Sequence, residues 1–124
     1  MDATTTRPFV LSAESLEGNS VVNHAGEDLG TVTDFMIDLD SGRIAYAVLS
    51  FGGYFGLGDK LFAVPWGSLQ ADTVNERFVM NVDKETLEDA PGFDKNDWPD
   101  MASREWGTEI HSFYDVEPYW VGAA

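Results

Sequence analysis

The chain has 124 residues, no cysteine and a formal net charge of −15, from 22 acidic and 7 basic residues. This length suits one domain, and 44% hydrophobic residues supply enough material for a core. The missing cysteines exclude disulfides, thiolate metal sites and a cysteine nucleophile. The acidic balance disfavours nucleic acids and anionic lipids as partners. No apolar run reaches the roughly 18 residues of a membrane span, and no signal-peptide pattern is present, so we expect a cytoplasmic protein.

The first two-thirds of the chain read as short strands separated by turns, which is typical of an all-β domain. Residues 1–12 show no clear period and are interpreted as an N-terminal leader. A short strand at 20–23 is followed by a turn and by a longer strand at 28–39. The apolar residues of that longer strand change parity, which predicts a β-bulge near Thr33 and Asp34.

A hairpin turn at residues 40–42 follows, with Gly42 in the left-handed position. The next strand, 43–51, is apolar on both faces, so we expect a barrel core to cover one face and another element to cover the other. Further strands are predicted at 60–64 and 77–82, with one helical turn at 66–69 between them. About six strands in some sixty residues indicate a small β-barrel.

After residue 82 the apolar spacing becomes helical. Asp83 is placed to cap a short helix that ends before Pro91 and Gly92. A second helix is predicted at 96–114, where Gly107 should cost about 1 kcal/mol relative to alanine. Its apolar stripe, at steps of four and three, consists of Trp98, Ala102, Trp106, Ile110 and Phe113. We expect this helix to cover the outer face of the barrel.

The fold class predicted is therefore mainly β, a small barrel of about six strands with a C-terminal helical extension. The expected organisation is a leader at 1–12, the barrel at 13–82 and the helical extension at 83–124.

The sequence contains no complete motif for catalysis or cofactor binding. Residues 38–42 resemble the start of a calcium loop, but Leu49 stands where a bidentate carboxylate is needed, which favours a hairpin turn. The glycine-rich segment 52–58 lacks the lysine and hydroxyl residue that end a phosphate loop. His24 and His111 have no partner at metal-ligand spacing, and are interpreted as a turn residue and a packing residue. We therefore predict no catalytic residue, no metal ligand and no cofactor. A third hypothesis, an enzyme or a small-ligand binder that uses the mouth of the barrel, is supported by no motif in the sequence.

The aromatic residues outside the predicted elements include Tyr54 and Phe55 in the glycine-rich segment and Tyr119 and Trp120 near the C-terminus. Exposed aromatic side chains often mark interfaces. Additional core packing is the alternative interpretation. We take these four residues as candidate interface anchors, and predict a homo-oligomer, with a dimer as the simplest form.

Three motifs in order give the chain a resemblance to a known family. These are Gly26-Glu27-Asp28-Leu29-Gly30, the pair Ile37-Asp38 followed by Gly42-Arg43-Ile44, and Val64-Pro65-Trp66. Over residues 15–82 the chain resembles the PRC-barrel family, named after the barrel of the photosynthetic reaction-centre H subunit. The segment 83–120 is similar to the extension of small stand-alone members.

The resemblance implies a small β-barrel that docks to other proteins and carries no shared catalytic residues. The favoured hypothesis is a non-enzymatic, self-associating docking module whose protein partner is unidentified. The alternative is an accessory of photosynthetic or respiratory electron transfer, which leaves peripheral association with a membrane complex open.

Overall fold

A computed structural model describes residues 10–51 and 60–121 of the chain. The strands are β1 (Ser20–Val22), β2 (Asp28–Asp38), β3 (Arg43–Phe51), β4 (Lys60–Pro65), β5 (Leu69–Asp72) and β6 (Arg77–Met80). The helices are α1 (Ala13–Leu16), α2 (Lys84–Glu88) and α3 (Arg104–Phe113), and a single 3-10 turn covers Trp66–Ser68. The glycine-rich segment 52–58, with the predicted anchors Tyr54 and Phe55, lies outside the described residues.

The six strands form one sheet in the order β4-β3-β2-β1-β6-β5, curled into a half-barrel. Neighbouring strands are antiparallel, except that β1 and β6 are parallel. The outer edge of β4 is covered at Leu61, which exchanges backbone hydrogen bonds with Phe93. In the described ranges, no helix is long and apolar enough to span a membrane.

The β2–β3 hairpin forms where the sequence predicts it. A register shift between Val32 and Asp34 confirms the bulge, and a second shift lies between Met36 and Ile37. Gly42 closes the turn with φ of +75°, a backbone conformation that a side chain would strain. In the predicted strand 28–39, the alternation of apolar residues would place Ile37 and Leu39 on the inner face with Phe35. Both are exposed, because the second register shift changes which face the later residues occupy.

The main core lies inside the curl of the sheet. Its buried members come from all strands except β5, from Leu87 of α2 and from Ala90, two residues after that helix. They are Val21, Leu29, Val32, Phe35, Ala47, Leu49, Phe62, Val64, Phe78, Met80, Leu87 and Ala90. Since Leu87 is fully buried here, α2 of the extension packs on the barrel.

A second apolar cluster lies on the outer side of the sheet. Ala45 and Tyr46 of β3 and Ala63 of β4 pack there with Ile110 of α3, and all four are buried. Both faces of β3 are therefore covered, and the predicted position of the C-terminal helix is confirmed.

The start of this helix corrects the sequence prediction. The helix begins at Arg104 and not near residue 96, so Trp98 and Ala102 precede it. Ser103 is the N-cap, and its hydroxyl accepts a hydrogen bond from the amide of Trp106. Asp100 accepts from the amide of Ala102 and holds a turn before the cap. These local hydrogen bonds hold the backbone before Arg104 in a turn, although the apolar spacing there is helical.

Three further bounds differ from the predictions. The helix α1, capped by Ser12, and the strand β5 were not predicted, and strand β6 ends at Met80. Asp83 is the N-cap of α2, but its side chain makes no capping hydrogen bond. α1 has only four residues and no buried side chain, which explains why its sequence carries little apolar pattern.

Candidate functional site

A groove of about 690 Å³ lies beside the turn of the β2–β3 hairpin. One wall is the hairpin segment 36–40, and the other is the segment 98–104 that leads into α3. Tyr119 and Trp120 also line it, and Ala45 and Tyr46 contribute from β3. We call this feature the hairpin groove.

Tyr119 ties the C-terminal segment to the hairpin. Its hydroxyl donates a 2.6 Å hydrogen bond to Oδ2 of Asp38, and its carbonyl accepts one of 2.9 Å from the guanidinium of Arg43. Its ring stands edge-on to Tyr46, with centroids 6.3 Å apart. The wall formed by Tyr119 is thus held by both polar and aromatic contacts.

Trp120 packs against α3. The guanidinium of Arg104 lies 4.3 Å from its ring centroid, and the ring of His111 lies 5.3 Å away, edge-on. The backbone of Gly107 passes so close that a Cβ there would stand 2.6 Å from the Tyr46 hydroxyl and 2.8 Å from Trp120. Glycine at position 107 thus permits this packing. This explains why a residue of low helix propensity stands inside α3.

The electrostatics of this site follow from the same contacts. The hydrogen bond from Tyr119, with backbone donors of Ser41 and Asp40, holds the pKa of Asp38 below its ordinary value. Burial and the Asp38 carboxylate raise the pKa of Tyr119 to about 12, and burial raises that of Tyr46 to about 12. At neutral pH, Asp38 is therefore ionised and both tyrosines are neutral.

Two kinds of side chain line the hairpin groove. Apolar groups are open to solvent: the exposed fractions are 48% for Ile37, 90% for Leu39 and 40% for Trp98. Three acidic residues, Asp38, Asp40 and Asp100, line the groove together with one basic residue, Arg104. The groove thus combines an apolar surface with net negative charge.

A second, smaller groove of about 240 Å³ lies between α1 and the β5–β6 hairpin. Two exposed apolar residues, Leu11 and Val74, line it, and Phe78 is buried at its base. It adjoins β5, whose outer edge has no strand partner in the part of the chain that the structure describes. Its cation Arg77 pairs with Asp72 at 3.2 Å. We call this feature the edge groove.

The structure brings two of the predicted anchors together. Tyr119 and Trp120 are half-buried, with ring centroids 5.1 Å apart, and both contact their own chain. Their predicted role at an interface stays a prediction, as does that of Tyr54 and Phe55.

The two histidines occupy different environments. His24 is exposed in a turn, as predicted. His111 is 2% exposed and donates from Nδ1 to the carbonyl of Gly107 at 2.7 Å, so it packs deeper than the sequence indicates. Within 10–51 and 60–121, no three carboxylate or histidine side chains are arranged to hold a metal ion.

Sequence reasoning missed the exposed apolar residues of both grooves. Leu39 and Val74 stand in or beside hairpin turns, where a polar residue is usual. An apolar residue at such a position was the sequence signal that could have indicated these surfaces.

Comparison with known proteins identifies the family. The family model for the PRC-barrel domain matches residues 10–87, which is more than half of the chain. The chain belongs to the PRC-barrel family. The family match spans all six strands and most of α2, and it includes the hairpin wall of the hairpin groove.

Among solved structures, this PRC-barrel chain is similar to one assigned as the 16S ribosomal RNA processing protein RimM from Pseudomonas aeruginosa. The two are 15% identical, with a TM-score of 0.44 over 68% of this chain. This chain spans half the length of that structure. No curated protein matches the chain at the sequence level.

Proposed function

We propose that this PRC-barrel chain is a non-enzymatic protein-docking module that self-associates. The observation that carries the proposal is the outer edge of β5, which borders the edge groove and its exposed apolar residues. Val74 is 77% exposed and Leu11 is 44% exposed. Apolar side chains beside an unpaired strand edge favour pairing with another chain.

The charges at this surface support a second copy as the occupant. Arg77 and Asp72 neutralise each other, and Asp72 also accepts from the amide and side chain of Asn75. Two β5 edges can pair antiparallel about a twofold axis, so that each Leu69–Asp72 strand extends the sheet of the other copy. Among the described residues that line the edge groove, Glu76 is then the one charge left without an ion pair, so repulsion between two acidic chains is small there.

The test is sedimentation velocity across a wide range of protein concentration. We expect a reversible dimer, and we expect Val74→Asp to weaken it by about tenfold or more, because the change puts a charge into an apolar contact. Leu39→Asp is the matched control, since Leu39 is also highly exposed, at 90%, but lies in the other groove and should leave the dimer intact. A chain that stays monomeric at high concentration, or equal loss in both variants, would contradict the proposal.

The electron-transfer alternative follows from the family resemblance alone. Nothing in the described part of the chain favours it, and it remains a prediction.

A further inference from the structure

The hairpin groove is the larger of the two grooves and, like the edge groove, exposes apolar side chains. Ile37, Leu39 and Trp98 present apolar surface there, yet the main core and the outer cluster do not include them. Apolar side chains are unfavourable in water, and a partner that covers them lowers the free energy of the system. The apolar surface alone does not identify the kind of partner that binds.

The charges of the groove select the partner. Asp38, Asp40 and Asp100 line it, and the single lining cation, Arg104, is already stacked on Trp120. The carboxylate of Asp38 is held by donors on its own chain, and that of Asp100 caps a turn, but a carboxylate accepts more than one or two hydrogen bonds. The groove therefore suits a ligand with both apolar and cationic side chains.

We propose that the hairpin groove binds a basic, amphipathic segment of a different protein. Apolar side chains of the segment would cover Leu39 and Trp98, while its lysine or arginine side chains would meet Asp40 and Asp100. A second copy of this chain fits poorly, because it carries 22 acidic residues against 7 basic ones. The inference rests on the proposed docking function but not on self-association.

The probe is a fluorescently labelled synthetic peptide of alternating lysine and leucine, with binding followed by fluorescence anisotropy. Leu39→Asn should weaken binding about tenfold, since it removes apolar surface without touching a buried contact. The double variant Asp40→Asn with Asp100→Asn should weaken it at least about fivefold, and this loss should shrink in high salt. Asparagine at position 100 retains the oxygen that accepts from Ala102.

Matched controls separate the groove from the overall acidity of the chain. Glu14→Gln with Glu88→Gln removes the same two charges elsewhere, at exposed positions, and should leave binding within about twofold. Val10→Asn changes an exposed apolar residue outside both grooves and should also leave binding unchanged. A peptide of alternating glutamate and leucine should not bind.

Three results would overturn the inference. One is no binding by the natural sequence, and another is equal loss in the groove variants and their controls. The third is equal affinity for a lysine-only peptide or for spermidine, which would reduce the groove to a cation trap. If the peptide binds as expected to a chain that sediments as a monomer, self-association fails and this inference stands.

Discussion

The hydroxyl of Tyr119 donates a hydrogen bond of 2.6 Å to the carboxylate of Asp38, and so joins residues 81 positions apart. One residue ends β2, and the other lies in the C-terminal segment after α3. The contact fixes that segment over the outer face of β3, where it forms part of the hairpin groove. The wall of the proposed binding surface thus depends on a bond between the barrel and its extension.

Tyr119→Phe should lower the denaturation midpoint at neutral pH. Because Asp38 has a folded-state pKa below its ordinary 3.8, its contribution is present above that value and is lost as the pH falls through the lower, folded pKa. The difference between the natural sequence and Tyr119→Phe should therefore be constant near neutrality and shrink below about pH 4. Urea denaturation at several pH values measures it. A difference that grows toward acid would contradict the assignment.

Tyr114→Phe should raise the stability of the fold, in contrast to Tyr119→Phe. The Tyr114 hydroxyl is buried and has no hydrogen-bond partner within residues 10–51 and 60–121, and burial raises its pKa. Removing an unsatisfied buried hydroxyl recovers its desolvation cost, so we expect stability to rise by about 1 kcal/mol. The measurement is the free energy of unfolding in urea at neutral pH. A loss of stability would mean that the hydroxyl has a partner.

Gly107→Ala should destabilise the fold despite its better helix propensity. Alanine gains about 1 kcal/mol in a helix, but its Cβ would collide with Tyr46 and Trp120. Overpacking typically costs about 1–3 kcal/mol, so we expect a net loss, measured by urea denaturation. Gly67→Ala is the control, since nothing lies within 4 Å of a Cβ there. Equal effects of both variants would show that the close approach is absent.

Ser103→Ala should cost about 1 kcal/mol, because the Ser103 hydroxyl caps α3 by accepting from the amide of Trp106. Asp83→Ala should cost less, since the Asp83 side chain makes no capping hydrogen bond at α2. Thermal denaturation of both variants gives the comparison. A larger loss for Asp83→Ala would reverse our assignment of the two caps.

The barrel could be predicted from the sequence because its signals are local. The bulge shows as a change of parity, the hairpin turn as Asp40-Ser41-Gly42, and the coverage of β3 as apolar residues on both faces. Each depends on residues close together in the chain. The family motifs carry the same information.

The parts that could not be predicted depend on distant contacts or on competing local ones. β5 has only four residues and no buried member, so its sequence has no strand pattern. Trp98 and Ala102 match the helical spacing, but the hydrogen bonds of Asp100 and Ser103 decide the backbone there. The hairpin groove brings β2 together with the segment after α2, and no spacing along the chain reveals that.

Hydrogen–deuterium exchange at low and high protein concentration tests the central claim of a self-associating docking module most directly. We expect amides of β5, Leu69–Asp72, to gain protection as concentration rises, because a second copy would pair with this edge. Amides of the hairpin turn at 39–42 should exchange equally in both samples. Unchanged exchange along β5, or protection confined to the hairpin turn, would contradict the account.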